Sequence, residues 1–223
     1  MYYVVRKDRS LGFGQAMAMG GAGAVACVDR FWRSEFWAAS FAAWRATSSG
    51  KITLRADQEQ FDRVAGLDSA LIATDAGPAM LCLPPRRKSE REILLTELEA
   101  FTDARQPSKA PEVPAGAVVY VIRAGVFKNM GKAIAHGGHA ALKLVNRLST
   151  SHGPELQRWR AQGCPGEVCV ADEQMWECLK TEVEWISIKD AGSTQVARGT
   201  ETALALPPLA EQPDVVKALE RVA

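Results

Sequence analysis

Tyr3-Val4-Val5-Arg6, near the start of the chain, recurs 117 residues later as Tyr120-Val121-Ile122-Arg123. The same shift lays Gly14 on Gly131, Ala16 on Ala133, Ala18 on Ala135, Gly20-Gly21 on Gly137-Gly138, and Val28 and Arg30 on Val145 and Arg147. Residues 2 to 31 thus carry eleven identities in thirty ungapped positions, where composition alone gives about two or three. At a shift of 115, Trp44-Arg45-Ala46 falls on Trp159-Arg160-Ala161, Ala56-Asp57 on Ala171-Asp172, and Asp75-Ala76-Gly77 on Asp190-Ala191-Gly192. Leu83-Pro84-Pro85 then meets Leu206-Pro207-Pro208 at a shift of 123, so the first copy is eight residues shorter after its Asp-Ala-Gly.

The repeat divides the 223 residues into copies at 1–103 and 117–223. Between them, 104–116 has the composition of a linker, with Gln106, Pro107, Ser108, Lys109, Pro111 and Pro114. Each copy reads as one order of elements. A strand (3–6; 117–123) precedes a long Ala-rich helix (14–32; 131–149) and a shorter helix carrying Trp44 or Trp159. A strand near 51–55 or 167–170 follows, then a helix that Asp57 or Asp172 is suited to cap. Two further strands, one ending at Asp75 or Asp190 and one reaching the Leu-Pro-Pro, lead to a last amphipathic helix over 88–101 or 211–222. Strands alternating with helices predict an α/β fold: two tandem three-layer domains, packed as an intrachain pseudo-dimer that is compatible with a monomer.

Composition is that of a globular protein, 47% hydrophobic and 24% charged, with formal charge +1. Five cysteines, none at CxxC spacing, argue against a disulfide scaffold or a Cys-rich zinc site and fit a reducing cytoplasm. The nineteen uncharged residues between Arg9 and Asp29 resemble a signal segment. They align, however, with an internal stretch carrying Lys128, Lys132, His136 and His139, and so read as a glycine-rich helix packed inside a domain, with no membrane partner.

The copies differ in polar chemistry. Lys128, Lys132, His136 and His139 correspond to Leu11, Gln15, Met19 and Ala22, and residues 132, 136 and 139 share one helix face. After Asp190 the second copy continues through Ser193-Thr194-Gln195 to Gly199-Thr200-Glu201-Thr202, whereas the first has no such threonines. Their joint absence from the first copy points to a shared role in the second. His136 and His139 have no cysteine or carboxylate at ligand spacing, so no metal is expected. From 117 to 160 seven Lys/Arg face the single acid Glu155, and beyond 160 the acids outnumber the bases. That basic first half suits a phosphate-bearing partner, with Arg123, Lys128, Lys143 and Arg147 as candidate RNA contacts.

Val118-Val119-Tyr120-Val121-Ile122-Arg123, Met130-Gly131-Lys132-Ala133-Ile134-Ala135 with His139-Ala140-Ala141, and Asp190-Ala191-Gly192-Ser193-Thr194-Gln195 with Gly199 and Thr202 together resemble the type 2 peptidyl-tRNA hydrolases. The first copy is similar to a degenerate member of that family. The resemblance implies a mixed, mainly parallel, four-stranded sheet flanked by helices. It also implies cofactor-free and metal-free hydrolysis of the ester joining peptide to tRNA, with peptidyl-tRNA as partner and Lys132, His139, Asp190, Thr194 and Thr202 as functional positions. The sequence departs from the family pattern at His136, where glutamine is usual, at Gly137-Gly138, where a polar pair is usual, and at Gly125, where an aspartate is usual that the first copy retains as Asp8. An alternative on the same fold is an inactive RNA-binding or interaction protein.

Overall fold

The computed structural model describes residues 1–47, 49–86, 92–103, 115–126, 129–189, 197 and 199–223. The first half runs β1 (Tyr2–Arg6), α1 (Phe13–Phe31), α2 (Glu35–Ala46), β2 (Ile52–Ala56), α3 (Gln58–Ala65), β3 (Ala70–Thr74), β4 (Gly77–Leu83), α4 (Ile93–Thr96) and β5 (Glu99–Ala100). The second repeats that order as β6 (Val118–Arg123), α5 (Met130–Leu148), α6 (Gly153–Ala161), β7 (Gly166–Ala171), α7 (Glu173–Glu182), β8 (Ile186–Lys189), β9 (Glu201–Leu206), α8 (Asp214–Lys217) and β10 (Glu220–Val222). Two five-stranded sheets result, β3-β4-β1-β2-β5 and, in corresponding order, β8-β9-β6-β7-β10.

The α/β reading holds, and its details change in two ways. The last helix of each half is a single turn, and the residues after it form a fifth strand, so the sheets are five-stranded. Apolar positions at 216, 219 and 222 fit a helical spacing, but β7 would otherwise end the sheet with unpaired backbone groups. Residues 220–222 satisfy them by antiparallel pairing, as 99 and 100 do for β2. The sheets are mixed, but among the described residues only β1–β2 and β6–β7 are parallel; the other pairs are antiparallel.

Central strands β1 and β6 are buried on both faces, which explains their unbroken apolar runs. Tyr2 and Val4 pack outward with Phe61, Val64 and Leu95, under α3 and α4. Val119 and Val121 do the same with Trp176, Leu179 and Val216, under α7 and α8. Tyr3, Val5, Tyr120 and Ile122 face inward into one core that also holds α1 and α5. The two sheets therefore share a middle layer of helices.

The paired glycines explain how that layer closes. A Cβ on Gly20 would overlap the Ile134 carbonyl oxygen, and one on Gly137 would overlap that of Met17, so α1 and α5 cross with their backbones in contact. The contacts are reciprocal: the Tyr3 hydroxyl stands against Gly138 and the Tyr120 hydroxyl against Gly21. The Tyr3 O–H also donates to the Gly20 carbonyl oxygen at 3.1 Å. Glycine-rich residues 13–28 thus belong to an internal helix, and among the described residues no helix is long and apolar enough to cross a membrane.

Candidate active site

Asp57 and Asp172 open α3 and α7 by accepting from the N–H groups of Gln60 (2.9 Å) and Met175 (2.8 Å), as their sequence positions suggested. Asn129 opens α5 in the same way, accepting from the Lys132 N–H at 3.0 Å. Because β8 and β6 both pair antiparallel with β9, they run in the same direction, and Ile122 and Ile188 flank Ala203 in one row. The carboxyl ends of β6 and β8 and the start of α5 therefore meet at one end of the second sheet. Lys132 lies in the first turn of α5, with its ammonium nitrogen buried. The chain leaves β8 at Lys189, one residue before Asp190. Asp190, Thr194 and Lys128 lie outside the described residues.

Thr202 is fully buried, and its hydroxyl donates to the Ile188 carbonyl oxygen at 3.2 Å, tying β9 to the end of β8. Glu201 beside it accepts from the Ser187 hydroxyl (2.7 Å) and the Lys180 ammonium (3.2 Å). Burial raises the Glu201 pKa, but those hydrogen bonds outweigh it and leave the carboxyl below its ordinary value. The strand end is thus pinned from two sides.

Along α5, His136 is buried with Nδ1 3.0 Å from the Lys132 carbonyl oxygen. A carbonyl only accepts, so Nδ1 carries a proton, and in the neutral ring Nε2 is the nitrogen left with a lone pair. His139 follows one turn later, its ring centroid 6.4 Å from that of His136. Its Nδ1 lies 3.1 Å from Nζ of Lys51, a residue of the first half. Burial, then the positive charge that Lys51, Lys143, His136 and the Met1 amine carry when protonated, push the His139 pKa down to about 2. Lys51 is itself pushed down to about 7 by burial.

Lys51 is not among the polar residues that the second half has and the first lacks, the pattern that marks Lys132, His136 and His139. The reverse pattern marks it, since Lys51 aligns with Gly166. Neighbours in β2 face α5 too: the Thr53 hydroxyl donates to the Gly131 carbonyl oxygen at 3.0 Å, and Arg55 pairs at 2.8 Å with Asp103, whose carbonyl oxygen accepts from Met130 N–H. One wall of the candidate site is built by the other half. On α1 the matching face carries no lysine or histidine, and Gln15, Met19 and Ala22 line a cavity of about 400 Å³ with Ile72, Gly166 and Val168.

Of the candidate RNA contacts, Lys143 and Arg147 are exposed, Lys143 donating to the Ser187 carbonyl oxygen at 3.3 Å. Arg123 is half-buried and paired with Glu173 of α7. In the first half the corresponding Arg6 pairs instead with Asp8, the carboxylate that Gly125 replaces. Among the described residues no three His, Cys, Asp or Glu side chains form a group that could hold a metal ion.

Residues 117–220 match the family described as peptidyl-tRNA hydrolase PTH2. Peptidyl-tRNA hydrolases of Saccharolobus islandicus, strains L.S.2.15, M.14.25 and Y.G.57.14, are each 34% identical over 104 residues, covering 42% of this chain and 87% of the relative.

Proposed function

Since the chain belongs to the peptidyl-tRNA hydrolase PTH2 family through its second half, we propose that it cleaves the ester joining a peptide to the 3′ end of tRNA, releasing peptide and reusable tRNA. The observation that carries this is the position of Lys132. Its buried ammonium stands in the first turn of α5, at the sheet end where β8 delivers the chain to Asp190.

Ester hydrolysis needs an oriented water, a group that takes its proton, and a donor for the oxyanion that develops on the carbonyl oxygen. In the reading offered here Asp190 orients the water and takes its proton, and Lys132 supplies positive charge to the oxyanion or to the terminal phosphate. His139 stays neutral above about pH 2 and acts as a hydrogen-bonding group rather than as a cation. Thr194 contributes a hydroxyl, and Thr202 holds the β8 end that aims Asp190. Lys143 and Arg147, with Lys128 and Arg123, track the tRNA backbone. The first half is read as a degenerate copy, bounded at 103 and joined through 104–116.

The test is incubation of purified protein with N-blocked aminoacyl-tRNA or peptidyl-tRNA, with and without chelator. Release that chelator leaves unchanged is expected. No release under conditions where a known hydrolase works would sink the reading in favour of an RNA-binding protein on the same fold, and chelator-sensitive release would sink its metal-free chemistry.

A further inference from the structure

His136 and His139 lie on one face of α5, yet their surroundings demand opposite tautomers. The Nδ1 of His136 faces a carbonyl oxygen of its own helix and must donate. The Nδ1 of His139 faces Nζ of Lys51, which below about pH 7 is an ammonium with donors and no lone pair, so that there Nδ1 must accept. Its proton then resides on Nε2. With both rings neutral, this face carries an acceptor nitrogen on His136 and a donor nitrogen on His139, and the donor is set by a residue of the opposite half.

Lys51 is committed to this contact. Its ammonium approaches the Ser49 carbonyl oxygen at 3.4 Å and lies 4.8 Å from the Trp44 ring centroid, and among the described residues it pairs with no carboxylate. Trp44 is itself fixed by donating from its indole N–H to the Gly50 carbonyl oxygen at 2.7 Å. On the other side, the charged and titratable groups acting on His139 are Lys51, His136, Lys143 and the Met1 amine, all basic. None of these groups offers an imidazolium a negative charge.

We propose that Lys51 of the first half is a positioning residue for the second half's hydrolase site, holding His139 as a neutral imidazole with its proton on Nε2. This rests on the peptidyl-tRNA hydrolase reading, and it gives the first half a part in the site beyond packing. The side chain that completes the site comes from the copy that has lost its own.

Long-range proton–nitrogen NMR on histidine-labelled full-length protein reads the tautomers directly and requires no turnover. At pH 6, where Lys51 holds its proton, wild type is expected to show Nε2–H for His139 and Nδ1–H for His136. In Lys51→Met the His139 nitrogens should shift toward a tautomer mixture, and Lys51→Gln, whose amide still donates, should restore the wild-type pattern. In the hydrolysis assay Lys51→Met should lose about tenfold in kcat at little-changed KM, as groups that orient a functional histidine commonly do, with recovery in Lys51→Gln. An Nδ1–H form of His139 in wild type, an unaltered tautomer in Lys51→Met, or an altered tautomer with undiminished kcat would each overturn the proposal. Wild type that cleaves no peptidyl-tRNA would overturn the hydrolase reading, and the spectra would still decide whether Lys51 sets the tautomer.

Discussion

Gly137 of α5 rests directly on the carbonyl oxygen of Met17 in α1. A methyl group at 137 would overlap a backbone atom, which no change of rotamer can move aside. Gly137→Ala is therefore expected to cost about 2–4 kcal/mol, despite alanine's better helix propensity, because the two helices must separate. Gly153→Ala, at the first position of α6 with open space around it, should stay within about 1 kcal/mol of wild type. Urea midpoints check both, and equal effects at the two sites would refute the close-crossing account.

Stability should depend on pH through the pair that joins the halves. Unfolded, His139 binds its proton near pH 6.5; folded, it does so only near pH 2. Across that window the unfolded chain holds the extra proton, so the His139 contribution to stability is full above about pH 6.5 and is lost as pH drops. Lys51 follows the same sign at higher pH, with stability rising between about pH 7 and its unfolded value of 10.5. His139→Gln should flatten the acid limb of the urea midpoint against pH, and Lys51→Met the alkaline limb. Limbs identical to wild type would count against these buried states.

The two aspartates related by the repeat should behave differently. Asp75 is exposed at the tight turn between β3 and β4, where the first half has no counterpart of the longer β8–β9 connection. Asp75→Ala should leave peptidyl-tRNA turnover within about twofold of wild type, whereas Asp190→Asn and Lys132→Ala should each lower it by about a hundredfold or more. Comparable losses at 75 and 190 in folded protein would assign chemistry to both halves.

Charge removal should weaken tRNA binding according to how each cation is already engaged. Lys143→Ala and Arg147→Ala, at exposed positions, should each reduce the slope of log affinity against log salt by about 0.7–0.9. Arg123→Ala should change it less, because Glu173 already neutralises that guanidinium. A larger slope change for Arg123 than for Arg147 would reverse this ranking.

By itself, the sequence determined most of the order of elements and which polar residues set the second half apart from the first. Local rules suffice for that: continuous apolar runs mark β1 and β6, Asp57 and Asp172 cap the helices they precede, and internal repetition assigns each element twice. The same comparison isolated Lys132, His136 and His139, because the eye needs only the sister copy to see that Gln15, Met19 and Ala22 differ from them. Tertiary structure decided what depends on which surfaces meet. Residues 99–100 and 220–222 became strands because β2 and β7 left backbone groups unpaired at their edges, a nonlocal demand that outweighs helical spacing. Gly20 and Gly137 acquired their purpose from a helix crossing between residues more than a hundred positions apart. Lys51 lies 88 residues from His139, and no local pattern links them. Only the packing of one half's sheet against the other half's helix brings that ammonium to an imidazole and fixes which nitrogen carries the proton.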